Sequence, residues 1–563
     1  MTSVTAIRLL EQLDELKHTF GPAGARRLLR LIKTIGKLTL DDPQSLIKFH
    51  ETLLFIRAYP HNAAIVRACE TQLLTFSKRI SNAISHNVDL SELEHPEVSG
   101  FAGMSVSDTF SYYIVRWLLR KYPTQIKFDW EWFEDENRLG ETWPRFMPLL
   151  EEDSFVEANI PYREWLRRAS SGGNEVSWLL SNFNNLSRSS KEIAELYDSQ
   201  KLYVCWTPTY SSTRTGMRNA TNDLFFHHRP LIQRRDVNFI EHLRKPAPSF
   251  RKLSVKQGQS ELDLARAAST IRYRELYGFT HGDENRVLEF DPGRGIRLVV
   301  FGIPPNRRLP LRAYHAAMIY KNDVPIGYFE GLSLFERMES GFNLYYTFRD
   351  GETAWLYAET LNIMRHLTGV TTFSLDPYQI GHENEEGIES GAFWFYRKLG
   401  FRSTRPDLQR LTEREETRIK TQTNYRTSAA RLRQLAVAPM ILELEEEGRG
   451  DWDKFQVRQI GLRAQPQVNR ARGDAQRWRT HALETLRRQL SLDVSSFSLD
   501  EQDILSDFGT LLSLIPNLNR WSEEEKQKTA EIIKAKLSKD EVRYLRLMQK
   551  HKRLRAEVIR LGS

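Results

Sequence analysis

The hydrophobic pattern changes between residues 248 and 410, and this change constrains the fold more than any other feature of the chain. Short apolar runs typical of strands alternate there with runs whose apolar residues recur every three to four positions. Residues 296–301, 342–348 and 370–375 are strand-like, and residues 321–324 are typical of the turn of a hairpin, whereas residues 352–367 have the pattern of a helix. We therefore expect a mixed central β-sheet flanked by helices over residues 248–410.

The segments on either side of this region have mainly helical patterns. Residues 25–38 carry Leu28, Ile32 and Ile35 at helical spacing, and Asn62 is placed to cap a later helix. Residues 196–247 are rich in loop-forming residues, and residues 411–563 are basic and mainly helical. Within the latter segment, Ser522-Glu-Glu-Glu525 is a signal for the start of a helix. The expected fold class is α+β, with helical domains over residues 1–195 and 411–563.

The length and charge of the chain set broad limits on its function. A chain of 563 residues is long enough for several domains, each with its own core. The net charge of +8 permits nucleic-acid binding but does not indicate it. Lys550, Lys552 and Arg553 belong to a basic tail that is more typical of a solvated helix face than of a nucleic-acid site.

The cysteines and the apolar runs indicate a cytoplasmic protein that does not enter a membrane. Cys69 and Cys205 lie far apart in the sequence, which is typical of a reducing compartment. The first residues lead into a charged amphipathic run rather than an apolar signal core. We expect no bound metal, because adjacent His227 and His228 would point to opposite faces of an extended segment.

Two motifs in the central region carry the chemistry. The first, Phe348-Arg-Asp-Gly-Glu-Thr-Ala354, separates a strand-like run from a helix-like run. A loop at this position would present free backbone N–H groups to a phosphate. The second, Gly391-Ala-Phe-Trp-Phe-Tyr-Arg-Lys-Leu-Gly-Phe401, is an aromatic amphipathic run in which Gly400 is placed to end a helix.

The two motifs together resemble the GNAT superfamily of acyl-CoA N-acyltransferases. The resemblance covers residues 248–410 and rests on the order hairpin, strand, glycine loop, helix, strand and late aromatic helix. It implies a GNAT-like fold for the central region and an acyl-CoA co-substrate, acetyl-CoA or another acyl-CoA. It says nothing of the helical flanks.

In this superfamily a loop of pattern Gln/Arg-x-x-Gly-x-Gly/Ala holds the coenzyme pyrophosphate. Gly351 matches the first glycine, while Phe348 replaces the polar leading residue and Thr353 the second glycine. The resemblance implies that cofactor binding involves the following loop residues: Arg349, Gly351, Glu352, Thr353 and Ala354. The Glu352 carboxylate would repel a pyrophosphate unless it points away, and a helix cap without a ligand is the alternative interpretation.

The late helix of the superfamily commonly reads Asn-x-x-Ala-x-x-x-Tyr-x-x-x-Gly-Phe. This chain has Glu389 at the Asn position, followed by Ala392, Tyr396, Gly400 and Phe401. The resemblance implies that Tyr396 protonates the departing thiolate as a general acid. The alternative is an aromatic side chain that only packs on the sheet.

An amine acceptor must lose a proton, and a carboxylate is the usual acceptor of that proton. Glu330 ends a strand-like run, and Asp376 follows another. Glu385 lies in the polar loop after Asp376. We order the candidates as Glu330, Asp376 and then Glu385, although solvated loop carboxylates are also common.

The resemblance implies an N-acyltransferase, of which an acetyltransferase is the favoured form. An amine would attack the thioester directly, and no cysteine or serine is predicted as a covalent nucleophile. The acceptor is not identified, although the large helical flanks favour a macromolecular acceptor, such as a protein, or fixed assembly partners. A GNAT-like binding or regulatory protein that has lost turnover is the alternative, because the 348–354 loop departs from the family pattern.

Overall fold

The computed structural model describes residues 3–40, 42–133, 136–158, 160–219, 223–470, 474–495, 497–538 and 541–563. The fold is α+β, with a mixed central sheet flanked by helices, as the sequence pattern predicts. None of the helices in these ranges is long and apolar enough to cross a membrane.

The N-terminal region begins with helices that pack on one another. They are α1 (Ser3–Leu16), α2 (Pro22–Ile35), α3 (Pro43–Ala58), α4 (Ala63–Leu73) and α5 (Phe76–Ser85). The predicted apolar face of α2 is confirmed, since Leu28, Ile32 and Ile35 are buried. The predicted cap is also confirmed, because the Asn62 side chain accepts from the Ile65 N–H at 3.0 Å.

A small antiparallel sheet lies among the helices that follow. The elements are β1 (Val106–Asp108), α6 (Tyr112–Lys121), β2 (Ile126–Phe128), α7 (Leu149–Ala158), α8 (Tyr162–Ala169), α9 (Glu175–Asn184), α10 (Ser190–Ser199), β3 (Val204–Trp206) and α11 (Phe239–Leu243). The strand order is β1-β3-β2. The loop-rich segment 196–247 therefore supplies the middle strand of a sheet whose other strands precede it.

The central region alternates strands and helices. Its elements are β4 (Ser249–Lys252), α12 (Val255–Thr270), α13 (Tyr277–Thr280), β5 (Val287–Gly293), β6 (Ile296–Phe301), β7 (Ala313–Lys321), β8 (Val324–Leu334), β9 (Arg337–Leu344), α14 (Thr353–Thr368), β10 (Thr372–Leu375), α15 (Glu385–Glu389), α16 (Ala392–Lys398) and β11 (Arg402–Ser403). The predicted turn between β7 and β8 is confirmed, and Asn322 and Asp323 both have positive φ, as a type I′ hairpin requires.

The C-terminal region is mainly helical but returns one strand to the central sheet. Its elements are α17 (Pro406–Thr421), α18 (Ala429–Leu435), β12 (Met440–Glu443), α19 (Val457–Arg470), α20 (Ala475–Leu490), α21 (Leu499–Leu512), α22 (Glu523–Leu537), α23 (Glu541–Gln549) and α24 (Lys552–Gly562). The predicted start of α22 is confirmed, since Ser522 and Glu525 form a capping box.

Within the described residues the central sheet has the strand order β11-β12-β10-β9-β8-β7-β6-β5-β4. Neighbouring strands are antiparallel except β9 and β10, which are parallel and joined by α14. The strand β12 lies between β10 and β11, so the sheet continues past residue 410. Because β12 has only four residues and no alternating pattern, its position in the sheet is decided by the strands with which it pairs rather than by its local sequence.

The pairing of the two parallel strands stops before their carboxyl ends. Pairing of β9 with β10 is confined to residues 337–339 and 372–374. Beyond these pairs β9 runs on to Leu344, whereas β10 ends at Leu375. Ligands of open sheets with parallel strands bind in the crevice outside the carboxyl ends of such strands. The fold therefore leaves a crevice beside the carboxyl-terminal part of β9, beyond the end of β10.

The described residues form two apolar cores. The larger core contains residues of both the N-terminal helices and the central sheet, for example Phe55, Phe329 and Phe373. The smaller core belongs mainly to the C-terminal helices and docks on the β8–β9 turn, where Arg555 pairs with Glu336 at 2.6 Å. That turn is at the amino end of β9, away from the crevice.

Candidate functional site

The crevice beside the carboxyl-terminal part of β9 contains a cavity of about 490 Å³, which we call the strand cavity. Phe342, Asn343 and Leu344 of β9 form one side of it. Tyr396 of α16 and Glu386 of α15 line the cavity as well. A volume in this range suits a small molecule or part of a cofactor.

A second cavity of about 500 Å³, the loop cavity, lies beside the start of α14. It is lined by Asp350 and Gly351 of the 348–354 loop and by residues 230–234 of the segment before α11. His18 and Phe20, between α1 and α2, also line it. The N-terminal helical region is thus part of the site rather than a separate appendage.

The two cavities adjoin at Arg349, Thr353 and Phe395, which line both. Arg349 forms an ion pair with Glu386, and its Nε donates to the Leu344 carbonyl at 3.2 Å. The guanidinium therefore lies between the cavities, where a ligand spanning both would pass. Its positive charge suits an anionic group at that point.

The first turn of α14 presents unpaired donors at the same place. Within the described part of the chain, the backbone N–H groups of Thr353, Ala354 and Trp355 have no hydrogen-bond acceptor. The Thr353 hydroxyl donates to the Arg349 carbonyl at 2.8 Å, which holds the loop against the helix. Free N–H groups at a helix start are suited to bind an anion, and Thr353 and Ala354 both line the loop cavity.

The Glu352 carboxylate points away from both cavities. It is fully buried, forms an ion pair with Arg294, lies 3.4 Å from Lys321 Nζ, and accepts from the Ile232 N–H at 3.1 Å. Burial lowers the pKa of Lys321 to about 8. Because its carboxylate points away from the loop cavity, Glu352 would not repel a phosphate bound there. Its side chain anchors the loop and does not line the cavity predicted for the cofactor.

Gly351 has a structural role that the sequence does not reveal. A Cβ atom at this position would overlap the hydroxyl of Tyr59, the residue that ends α3. A second contact between α3 and this segment is the hydrogen bond from the Thr347 hydroxyl to Glu51. The helix α3 therefore supports the underside of the 348–354 loop.

Tyr396 packs against neighbouring aromatic rings and also lines the strand cavity, so its position is compatible both with a packing role and with proton donation. Its ring packs edge-on against Tyr357 and Phe401, with centroids 5.6 and 5.9 Å apart. Its side chain also lines the strand cavity, and among the described residues its hydroxyl has no hydrogen-bond partner. Burial raises the pKa of Tyr396, so the phenol keeps its proton at neutral pH. The residue is therefore a packed aromatic whose phenol proton is not engaged in a hydrogen bond with any described residue.

The predicted bases do not line the strand cavity. Glu330 accepts from the Tyr314 hydroxyl, and burial raises the pKa of this carboxyl. Asp376 is exposed and caps the turn after β10 by accepting from the Tyr378 N–H at 2.9 Å. Glu385 is exposed and pairs with Arg433 at 2.6 Å. Among the described lining residues, the carboxylate of the strand cavity is Glu386, the next residue along the polar loop.

A buried network elsewhere has the connectivity of a hydrolase triad but no access to substrate. Thr215 Oγ1 lies 2.9 Å from His50 Nε2, and His50 Nδ1 lies 2.9 Å from Glu51. The Thr215 and His50 side chains are buried, and Thr215 also accepts from the Ala102 N–H. Burial lowers the pKa of His50 to about 4. This network stabilises the packing of α3.

The described residues also contain no cluster of three or more His, Cys, Asp or Glu side chains placed to hold a metal ion. Comparison of the chain with known protein families, with curated proteins and with solved structures found no match. The function is therefore argued from the geometry of the two cavities.

Proposed function

We propose that this protein is an N-acyltransferase of the GNAT type that uses acetyl-CoA or another acyl-CoA. The observation that carries the proposal is the meeting of two features in one crevice. The unpaired N–H groups at the start of α14 adjoin a cavity lined by the protonated phenol of Tyr396. The N–H groups suit a pyrophosphate, and the phenol suits a thiolate leaving group.

The order of elements supports the same proposal. The strand β9 leads through the glycine loop into α14, then into the parallel strand β10 and the aromatic helix α16. This is the order on which the resemblance to the GNAT superfamily rests. The pairing of the parallel strands stops before their carboxyl ends, where the superfamily would place its coenzyme.

The geometry supports one orientation of the coenzyme. Its pyrophosphate would bind the N–H groups of Thr353 and Ala354, with Arg349 supplying positive charge. The nucleotide end would then occupy the loop cavity beside His18 and Phe20, and the thioester would reach the strand cavity.

The proposed reaction is a direct transfer. The acceptor amine attacks the thioester carbonyl, a C–N bond forms, and the C–S bond breaks. Tyr396 donates its proton to the departing sulfur, and the amine proton passes to Glu386, the carboxylate that lines the cavity. The products are the amide and free coenzyme A, so protons and electrons balance.

Binding without turnover is the second candidate function, and two observations favour it. Glu386 is already paired with Arg349, so the carboxylate available as a base is engaged. Phe348 is buried where the superfamily has a polar residue, and it offers no hydrogen bond to a phosphate. A GNAT-like regulatory protein would bind the coenzyme and release no thiol.

Calorimetric titration with acetyl-CoA, followed by an assay of thiol release with a panel of amines, separates the candidates. The proposal predicts saturable binding of acetyl-CoA and amine-dependent release of thiol. Binding without thiol release for any amine supports the regulatory alternative. A folded sample that binds neither acetyl-CoA nor longer acyl-CoAs overturns both.

A further inference from the structure

The strand cavity contains a guanidinium that forms no ion pair with any of the described residues. Arg274 follows α12, is half-buried and lines the cavity. Among the described residues no carboxylate lies within ion-pair distance of it, whereas Arg349, the other arginine of the cavity, is paired with Glu386. The charged lining residues, Arg274, Arg349 and Glu386, therefore sum to one excess positive charge.

Neighbouring side chains hold this guanidinium in place. Its Nη1 donates to the Tyr328 hydroxyl at 3.0 Å, and Tyr328 lines the same cavity. With its amide oxygen facing the guanidinium, Asn343 accepts from the same Nη1 at 3.2 Å. Both contacts use one nitrogen of the guanidinium.

The opposite edge of the guanidinium carries Nε and Nη2. In the part of the chain that the structure describes, Arg274 Nε and Nη2 donate no hydrogen bond. These two nitrogens form the fork that binds both oxygens of a carboxylate. Arg272, two residues earlier, is used differently: it is buried with its guanidinium 3.7 Å from the centre of the Tyr345 ring.

We propose that the acceptor is a small amine that also carries a carboxylate, such as a free amino acid, and that Arg274 binds this carboxylate. The inference rests on the proposed function and names its substrate class. Tyr396 and Glu386 line the cavity that holds the Arg274 fork, so an acceptor anchored there has its amine in the cavity where the thioester is attacked. Arg274 is a specificity-determining residue, because it touches the acceptor and not the bonds that form or break.

Matched pairs of acceptors test this inference. Lysine, phenylalanine, tyrosine and histidine are each compared with the amine left when the carboxylate is removed: 1,5-diaminopentane, phenethylamine, tyramine and histamine. Thiol release is measured with saturating acetyl-CoA, and binding is measured calorimetrically to the protein saturated with coenzyme A. We expect at least one amino acid to exceed its matched amine roughly tenfold or more in kcat/KM, since the lost contact is a charged bidentate one.

The variants Arg274→Gln and Arg274→Lys locate the effect. Arg274→Gln is expected to raise KM for the amino acid roughly ten- to a hundredfold, with the matched amine unaffected. Arg274→Lys keeps the positive charge but lacks the fork, so its KM for the amino acid is expected to lie between that of wild type and that of Arg274→Gln. Tyr328→Phe removes the hydroxyl that orients the guanidinium and is expected to raise KM for the amino acid less than Arg274→Gln does. Arg251→Gln, at an exposed arginine of β4, is the matched control.

Acetyl-CoA titration of each variant shows whether it is folded, and it separates the two claims. Normal acetyl-CoA binding with equal use of amino acids and matched amines overturns the inference alone, as does a carboxylate preference that survives Arg274→Gln. Failure of every amino acid in the panel to bind or react also overturns it. Absence of acetyl-CoA binding overturns the proposed function, and the inference falls with it.

Discussion

The Tyr59 hydroxyl occupies the space that a Cβ atom would need at Gly351. Tyr59 ends a helix of the N-terminal region, and Gly351 belongs to the loop that precedes α14 in the central region. Glycine at this position is thus explained by contact between two regions of the chain, whether or not a phosphate approaches the loop.

This contact predicts that Gly351→Ala destabilises the protein by about 1–3 kcal/mol, the usual cost of overpacking a filled site. The loss should shrink when Tyr59→Leu is also present, because leucine lacks the hydroxyl and ring atoms that the new methyl group meets. Urea unfolding of both single variants and the double variant measures this coupling. Additive losses would show that the two residues do not interact.

The buried carboxylate beneath the loop gives a second prediction. Glu352→Gln leaves Lys321 and Arg294 without their shared partner and is expected to cost about 3–5 kcal/mol. The neighbouring Asp350→Asn is the control, since the Asp350 carboxylate is largely exposed and Lys17 keeps its pair with Asp14 at 2.8 Å, so that the loss is at most about 1 kcal/mol. Denaturant unfolding compares them, and equal effects would contradict a buried anchoring role for Glu352.

Stability should fall in mild acid, partly through His227. Burial, with Lys321 and Arg294 nearby, lowers the pKa of His227 from 6.5 to about 2. Below pH 6.5 the unfolded chain takes up a proton that the folded state does not, so stability falls as pH falls, by at most about 1.4 kcal/mol per pH unit. His227→Phe should make the free energy of unfolding less steep between pH 6 and 4.5. His481→Gln, at an exposed histidine, should leave this pH dependence unchanged. If plots of the free energy of unfolding against pH were parallel for His227→Phe and wild type, His227 would not contribute to the loss of stability in acid.

Tyr396→Phe separates proton donation from packing. The ring contacts with Tyr357 and Phe401 are kept, so acetyl-CoA binding and melting temperature should stay close to wild type. Loss of the general acid should lower kcat by about a hundredfold. Because burial raises the pKa of Tyr396, wild-type kcat should not decline between pH 7 and 9. Unchanged kcat in the variant would leave Tyr396 with a packing role only.

Local pattern was sufficient where a segment carries its own signal. The helical spacing in α2, the Asn322-Asp323 turn and the Ser522 capping box are confirmed because each depends on residues close in sequence. The strand expected at residues 342–348 instead occupies Arg337–Leu344, since the edge of β8 decides the pairing. The aromatic run that follows β9 forms a short helical turn.

Within the site, the sequence motifs identified residues on the 348–354 loop and α16 but not those brought in from elsewhere. Arg349, Thr353 and Tyr396 line the cavities, as do residues such as His18 and Arg274, which lie far away in sequence. The orientation of Glu352 depends on Lys321 and Arg294, which no motif connects to it. Glu386 differs from the proposed Glu385 by one helical position, a distinction that only the docking of α15 decides.

The most direct test of the account is acetyl-CoA binding by Thr353→Glu and Thr353→Gln. A glutamate in the first turn of α14 stabilises the helix by roughly 0.3–1 kcal/mol, so the fold should tolerate it, yet its charge would face the site proposed for the pyrophosphate. Glutamine has nearly the same size without the charge. We predict that wild type and Thr353→Gln bind acetyl-CoA with similar affinity and that Thr353→Glu binds at least about tenfold more weakly. Equal affinity of the two variants, or no binding by the folded wild-type protein, would contradict a coenzyme site at the start of α14.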